Sequence, residues 1–359
     1  MLRIFKAPES FSFGLEDRFS AKMRHALTSC GVPCAIADIW PDFWARNLYF
    51  TRLPYADRPF RHLIAPMACR KHLSNIEPED VVWLAGTSLP IPDTECWFEK
   101  KVLERGASYV FWLEDDWFSN ESTRTSAEVR VALADLIVAV TPTLTERISG
   151  LFPTKRVLLL EEAIDVERLA PRTSVRQSSQ PVVLWTGRPW NLKKLLALNT
   201  VLASVYKDIP FTLRVVTGRS RPEVKFSVPW EWLPYDPSRE AEYAAGAVAG
   251  IAPLENSVYE TCKGNYKVKT YMALGVPPLT SPVGYNYHLI RHGENGFLLD
   301  SGQEWEAAIR QLLTDSSFTS KIGAAARETI INRYSYDALM PIYADTLQKA
   351  FPGKALVGG

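Results

Sequence analysis

The sequence lacks the features that mark membrane-spanning and secreted proteins. No stretch reaches the roughly 18 consecutive apolar residues that a transmembrane helix needs. The N-terminal segment MLRIFKAPESFSFG lacks the long apolar core of a signal peptide. We therefore expect a cytoplasmic protein without a transmembrane segment, for which peripheral contact with a membrane stays open.

Cysteine is scarce and scattered. The chain has five cysteines, an odd number, and no CxxC pair. This pattern favours reduced thiols in a cytosolic protein over a disulfide framework. The five are Cys30, Cys34, Cys69, Cys96 and Cys262.

An excess of one charge is missing as well. The 41 Lys and Arg residues are balanced by 40 Asp and Glu residues, which gives a formal net charge of +1. A nucleic-acid-binding domain is normally strongly basic, so we expect no nucleic-acid partner. Any anion that the protein binds must be held by a local cluster of cations.

The pattern of the chain is that of an α/β protein. Hydrophobic residues make up 47% of the 359 residues, and this length favours two domains. Short, fully apolar runs alternate with amphipathic stretches such as residues 18–29, which predicts doubly wound parallel sheets covered on both faces. The predicted strands are Leu2–Phe5, Val81–Leu84, Tyr109–Leu113, Leu136–Val140, Val157–Leu160, Val182–Trp185, Thr212–Val216, Ala247–Ala252 and Pro278–Thr280.

A polar, proline-flanked segment divides the chain. Residues 170–181 read APRTSVRQSSQP, which is linker composition, and the apolar strand VVLW follows at once. We predict an N-terminal Rossmann-like domain over 1–169 and a C-terminal Rossmann-like domain over 182–335. The last segment, 336–359, is predicted to form a helix that returns to the first domain.

The loop after the strand VVLW has the character of an anion site. Gly187 permits a tight turn there, and Arg188 follows at the end of the strand. Lys193 and Lys194 then fall in the first helical turn, where the helix dipole disfavours cations. An anion in front of this helix would reverse that effect, because backbone N–H groups and lysines would act on it together.

The same arrangement recurs in the segment KGNYKVK. Lys263, Lys267 and Lys269 crowd the start of a helix that stops at Gly275, and no acidic residue lies between them. Gly264 and Asn265 belong to the same turn. Two such helix starts in one domain predict a site for a diphosphate, since ligands of open α/β sheets bind at the carboxyl ends of the strands.

The order of these motifs resembles the retaining glycosyltransferases of family 4, the group 1 glycosyltransferases. The likeness implies a GT-B fold, with two Rossmann-like domains facing each other across a cleft. It makes 1–169 the acceptor-side domain and 182–335 the nucleotide-sugar-binding domain. It also implies transfer of a hexose, with retention, from a UDP- or GDP-linked sugar to an unknown glycan, lipid-linked glycan or small molecule. The stretches that carry it are TGRPWNLKKL from Thr186, GIAPL (250–254), KVKTYMALGVPPLTSPVG (267–284) and RHGENGFLL (291–299), with looser likeness over 134–148 and 158–169.

The resemblance also implies roles for individual residues. Arg188 and Lys193 match the arginine and lysine that hold the donor diphosphate. The family's two glutamates, which contact the donor sugar and its ribose, are replaced by Cys262 and Thr270. The resemblance places Trp232 and Leu233 in the region that borders the nucleobase, while a core or surface-anchoring role for Trp232 stays open. Neither a cofactor nor a metal ion is implied, since cations of the protein neutralise the leaving diphosphate.

Further polar positions carry open alternatives. The run Glu114, Asp115 and Asp116 ends a strand, where it could contact the donor sugar or acceptor, cap a turn or bind a metal. Gly14, in the loop after the first strand, could approach a ligand or form a plain turn. His288 and His292 have metal-ligand spacing for a helix, but no third ligand is evident.

Two other function classes compete with an active transferase. Loss of both glutamates is compatible with a non-catalytic nucleotide-sugar-binding subunit or scaffold. A nucleotide-sugar epimerase would share the double-Rossmann build, but no carboxylate and histidine set for it can be identified in the sequence.

Overall fold

The computed structural model describes residues 1–6, 20–40, 60–86, 93–171, 180–354 and 356. The chain divides into two compact units. Unit 1 comprises residues 1–163, 262–264 and 336–359, and unit 2 comprises residues 164–261 and 265–335. The predicted linker residues 172–179 lie outside the described part of the chain.

Unit 1 is built on a parallel six-stranded sheet in the order β2-β1-β3-β4-β5-β6. Its strands are β1 (Leu2–Lys6), β2 (Cys34–Asp38), β3 (Val81–Ala85), β4 (Ser108–Leu113), β5 (Leu136–Ala139) and β6 (Val157–Leu159). Its described helices are α1 (Ala21–Ser29), α2 (Ala65–Leu73, preceded by a π-helical turn at Phe60–Ile64), α3 (Trp97–Glu104), α4 (Glu121–Leu133), α5 (Pro142–Leu151) and the C-terminal helix Tyr336–Ala350.

Unit 2 contains a second parallel six-stranded sheet, in the order β12-β11-β10-β7-β8-β9. Its strands are β7 (Val182–Thr186), β8 (Thr212–Val216), β9 (Trp230–Leu233), β10 (Ala247–Ala252), β11 (Pro278–Thr280) and β12 (Phe297–Leu298). Its helices are α6 (Leu192–Leu196), α7 (Asn199–Asp208), α8 (Glu240–Tyr243), α9 (Val258–Thr261), α10 (Tyr266–Ala273), α11 (Asn286–Leu289), α12 (Gly302–Thr314) and α13 (Ser316–Tyr334). The C-terminal helix of unit 1 is α14.

The central strands are apolar throughout because helices cover both faces of each sheet. Every residue of β3 is buried, and β5 and the first four residues of β7 are buried in the same way. All nine predicted strands are present, so the predicted doubly wound α/β class is confirmed. Sequence reasoning missed β2, β9 and β12, which all lie at a sheet edge. In addition, β2 has mostly small residues and β12 has only two residues.

One helical segment differs from the sequence expectation, and the C-terminal one agrees with it. The apolar stretch after Lys194 was expected to form one helix, but α6 ends at Leu196 and α7 begins at Asn199. The C-terminal segment forms the single helix α14 in spite of Pro341 in its interior. No described helix has the length and apolar character that crossing a bilayer would require.

The helix α14 packs in unit 1. The ring of Tyr343 stacks on that of Trp83 in β3, with a centroid separation of 6.1 Å. The hydroxyl of Tyr343 donates to the carbonyl of Glu161 over 2.6 Å, and Arg156 Nη1 donates to the carbonyl of Ala350 over 2.9 Å. The last helix therefore completes the core of the unit that contains the first strand.

A buried ion network lies in the core of unit 1. The fully buried Arg130 of α4 contacts Asp93 at 2.7 Å and Glu99 at 2.8 Å. Its guanidinium also donates to the hydroxyl of Ser126. Because each charge is paired, the network avoids the large free-energy cost of an isolated buried ion.

Candidate functional site

The strand order of unit 2 points to one place on its sheet as a ligand site. The chain passes from β7 to β8 and β9 on one side, and β10, β11 and β12 follow on the other side. The order of the strands thus reverses between β7 and β10, and such a switch point is where open α/β sheets bind ligands, beyond the carboxyl ends of the strands. The turn that begins at Thr186 lies at this point.

Gly187 is the contact point of the two lysine-bearing turns. A Cβ atom here would lie 2.7 Å from a ring carbon of Trp185 and 3.2 Å from Lys267 Nζ. The ammonium of Lys267 lies 4.8 Å from the centre of the Trp185 ring, which is a cation–π contact. Gly187 does not have a positive φ, so the need for a left-handed turn does not explain the glycine. The close packing of Trp185 and Lys267 does.

The backbone after Gly187 is held from two sides. The hydroxyl of Thr217 donates to the carbonyl of Gly187 over 2.6 Å. Gly218, in the left-handed region at φ 55, packs against Pro189, where an added Cβ would approach to 3.2 Å. Arg188 is therefore carried on a fixed turn, and its guanidinium lies 5.1 Å from the ring centre of the exposed Trp190.

The two neighbouring lysines of α6 have different surroundings. Lys193 is 69% exposed and lies 3.5 Å from the carboxylate of Glu255, which is itself 58% exposed. Lys194 is buried and paired with Glu260 of α9, also buried. Acids distant in sequence therefore reach both lysines, which the local sequence does not show.

Helix α10 begins after Asn265, which adopts a left-handed conformation at φ 51 and donates to the amide oxygen of Asn286 over 2.7 Å. Lys267 lies in the first turn of this helix. Lys269 is the fourth residue of this helix, but its side chain does not join an exposed cluster of lysines at the helix start. It is fully buried, with its ammonium 5.0 Å and 4.9 Å from the ring centres of Tyr285 and Tyr334.

Thr270 is the residue that the sequence resemblance matches to the second glutamate of the family. The side chain is 4% exposed, and its hydroxyl donates to the carbonyl of Tyr266 over 3.1 Å within the same helix. That bond engages the hydroxyl proton, so only the oxygen lone pairs are left for another partner.

Tyr271 ties α10 to the switch point and was missed by sequence reasoning. The amide of Thr186 donates to its hydroxyl over 2.8 Å, and its ring fills the space above Gly250 in β10, where a Cβ would lie 2.5 Å from a ring carbon. Burial raises the pKa of the Tyr271 phenol. The phenol is therefore neutral and fixes the end of β7 against the helix that carries Lys267.

Trp232 and Leu233 close one side of unit 2 at the edge strand β9. The indole N–H of Trp232 donates to the carbonyl of Thr217 over 2.8 Å, and the amide of Thr217 donates to the carbonyl of Leu233 over 3.2 Å. These bonds connect β9 to the same Thr217 that braces Gly187.

Part of the KGNYKVK segment belongs to unit 1. Residues 262–264 pack there: the hydroxyl of Thr141 donates to the carbonyl of Cys262 over 2.9 Å. Lys263 is half-buried. A Cβ at Gly264 would collide with the carboxylate of Glu162, so a larger residue here would have to displace that side chain.

The acidic run after β4 divides by burial. Asp116 is fully buried, accepts from the amide of Phe118 over 3.0 Å and pairs with Arg147 at 2.7 Å. It acts as a cap for the short 3-10 helix Trp117–Ser119, one of the alternatives left open by the sequence. Glu114 and Asp115 are half-buried, and Gly14 lies outside the described residues.

The histidine pair does not share a helix, because α11 ends at Leu289 and His292 bonds instead with the carbonyl of Leu298. Within the described ranges, one group of side chains has metal-ligand spacing, namely Asp93, Cys96 and Glu99. Both of its carboxylates already contact Arg130, whose positive charge competes directly with a cation.

Comparison with known families supports the resemblance seen in the sequence. Residues 180–315 match the model of the family described as glycosyl transferases group 1, over less than half of the chain and mostly in unit 2. No curated protein sequence matches the chain.

Solved structures with the same fold extend over both units. Sucrose-phosphate synthase from Thermosynechococcus elongatus has a TM-score of 0.68 at 13% identity, covering 98% of this chain and 99% of that one. A glycosyltransferase from Rickettsia africae has a TM-score of 0.67 at 14% identity, with 98% and 99% coverage. HepE from Anabaena, solved in complex with UDP-glucose, has a TM-score of 0.66 at 16% identity, with 97% and 100% coverage. At such identities the likeness concerns the fold, and it confirms the GT-B class with two Rossmann-like domains.

Proposed function

We propose that the chain is a glycosyltransferase that transfers a hexose from a UDP- or GDP-linked donor, with retention and without a metal ion. The observation that carries the proposal is the approach of Lys267 to Gly187 at the β7–β10 switch point, beside Arg188. The match of residues 180–315 to the group 1 family and the UDP-glucose bound by the similar HepE support a nucleotide-sugar donor.

The chemistry needs cations more than acid–base groups. The bond between the sugar and the diphosphate breaks, and negative charge develops on the leaving oxygens. Arg188 binds them through a forked contact, while Lys193 and Lys267 supply point charges. Such preorganised charge stabilises the transition state, and the leaving phosphate oxygen accepts the proton of the acceptor hydroxyl.

A second candidate function is a nucleotide-sugar-binding subunit without transferase activity. The burial of Thr270 and its bond to the carbonyl of Tyr266 favour it, because the family's second glutamate is replaced by a hydroxyl that faces its own helix. Both candidates share the diphosphate site and differ in turnover.

The test combines binding with turnover. Wild-type protein is titrated calorimetrically with UDP and with GDP, and slow hydrolysis of the matching nucleotide sugars is followed. Arg188→Ala should weaken binding of the nucleoside diphosphate and lower hydrolysis by about 100-fold, the scale for removing one charge donor to a transition state. Unchanged binding in Arg188→Ala would place the phosphates elsewhere, and binding without hydrolysis would favour the binding subunit.

Metal independence is tested in the same assay. If the cations of the protein neutralise the diphosphate, EDTA should leave hydrolysis unchanged. Loss of hydrolysis in EDTA, with recovery on addition of manganese, would contradict this part of the proposal and direct attention to Glu114 and Asp115.

A further inference from the structure

Unit 1 contains a cavity that none of the roles assigned above uses. It has a volume of about 410 Å³ and lies where β1 and β2 end, between these strands and the start of α1. This volume falls in the range of small-molecule sites, about 300–1,000 Å³. Its position, beyond the carboxyl ends of parallel strands, is also typical of ligand sites in α/β sheets.

The cavity carries an excess of positive charge. Lys6 Nζ lies 2.6 Å from a carboxylate oxygen of Asp38, and only 10% of the Lys6 side chain is exposed, so this pair is fixed and mutually neutral. Arg24 also lines the cavity. Within the described part of the chain its guanidinium has no ion-pair partner, which leaves one positive charge for a ligand.

The start of α1 adds to this preference. Ser20 caps the helix by accepting from the amide of Met23 over 3.2 Å and is itself within 2.9 Å of the hydroxyl of Tyr336. The first turn contains no acidic residue. The positive end of the helix dipole and the Arg24 guanidinium, one turn further on, therefore favour the same anionic group.

The remaining lining suits a compact polyhydroxylated molecule. Ile36 and Ala37 present apolar surface to the cavity. The carboxylate of Asp38 is 40% exposed and can accept hydrogen bonds from hydroxyl groups. The cavity thus combines a cation, an acceptor of hydroxyl groups and an apolar wall.

We propose that this cavity binds a small sugar that carries one phosphate or carboxylate group, with Arg24 making a forked contact to that group. Resting on the proposed function, this molecule is the acceptor. In the transfer, the bond from the donor sugar carbon to the diphosphate breaks, and a bond forms from that carbon to an acceptor hydroxyl oxygen. The hydroxyl proton passes to the leaving nucleoside diphosphate.

The experiment is a calorimetric titration of the full-length protein without a donor. The probes are a panel of hexose and pentose monophosphates, hexuronates, the corresponding neutral sugars and inorganic phosphate. The variants are Arg24→Gln, Arg24→Lys and, as a matched control on the same helix, Lys22→Gln, whose side chain does not line the cavity. UDP titration of each variant serves as a separate readout of unit 2.

We expect at least one anionic sugar to bind the wild type at millimolar concentration or tighter, and the neutral sugars to bind at least tenfold more weakly, on the order of one charged hydrogen bond. Arg24→Gln should lose this binding by about tenfold or more, Arg24→Lys should lose less, and Lys22→Gln should match the wild type. The sugar phosphates and the hexuronates separate the two sources of anionic charge.

Three outcomes would overturn the inference: no anionic sugar binds, Arg24→Gln binds as the wild type does, or inorganic phosphate alone binds as tightly as every sugar. Failure of both UDP and GDP to bind, with the Arg24-dependent sugar binding intact, would instead remove the proposed transferase function and leave the anionic-sugar site in place. The two failures are therefore distinguishable.

Discussion

At the scale of single residues, Lys193 and Lys194 show how adjacent side chains acquire different functions. Lys193 points to solvent and has only a long, exposed contact with Glu255, an interaction that contributes little in water. Lys194 is buried with Glu260, 66 residues away in the chain. The first is available to a ligand, and the second stabilises the fold.

The pair makes a matched test. Lys194→Met leaves Glu260 buried without its cation and should lower the free energy of unfolding by about 3–5 kcal/mol. Lys193→Met should change it by less than about 1 kcal/mol but weaken UDP binding about tenfold, through loss of one charged contact. Urea unfolding and UDP calorimetry measure both effects. Equal stability losses in the two variants would mean that the exposed lysine is structural too.

Arg130 is a second residue whose contribution to the stability of the fold depends on burial. Arg130→Met strands the carboxylates of Asp93 and Glu99 in the core and should lower the free energy of unfolding by about 3–5 kcal/mol. The control is Lys101→Met, which breaks an exposed pair with Glu104 and should cost less than about 1 kcal/mol. Urea denaturation compares them, and a mild effect of Arg130→Met would show that the core tolerates the unpaired acids.

At the scale of elements, the C-terminal helix α14 belongs to unit 1 although residues 265–335, which directly precede it in the chain, belong to unit 2. It is amphipathic, with Tyr343 buried against Trp83 and the neighbouring Ile342 53% exposed. The helix therefore contributes to the stability of unit 1 through one face only.

This helix face can be tested with two adjacent residues. Tyr343→Ala removes the stacked ring and the bond to the carbonyl of Glu161 and should lower the free energy of unfolding by about 3–5 kcal/mol. Ile342→Ala, on the solvent side, should stay within about 0.5 kcal/mol of the wild type. Thermal and urea unfolding give the comparison; a large effect of Ile342→Ala would indicate that this face is also packed.

At the scale of the whole molecule, the two units carry different parts of the proposed function, since the proposed diphosphate site lies in unit 2. A ligand that binds only the folded protein stabilises it by mass action, by about 2.7 kcal/mol at a concentration of 100 times Kd. Added UDP should therefore slow amide hydrogen exchange most around residues 182–188 and 265–273. Arg188→Ala is the control that should abolish this protection. Protection confined to unit 1 would contradict the assignment.

The sequence by itself determined the α/β class, nine of the strands and the turn that carries Arg188, because apolar runs, glycines and helix-start lysines are local patterns. The short or edge strands β2, β9 and β12 escaped it because they bury too little apolar surface to leave such a pattern. Only the tertiary structure decided which lysine meets an acid, which one packs between tyrosines and which one reaches Gly187. Lys194 pairs with Glu260, Lys269 contacts the ring of Tyr334, and Lys267 contacts the ring of Trp185. In each pair the two residues are far apart in the sequence and are brought together by the fold. Burial and pairing are set by strand order and helix packing, and no local spacing encodes those contacts.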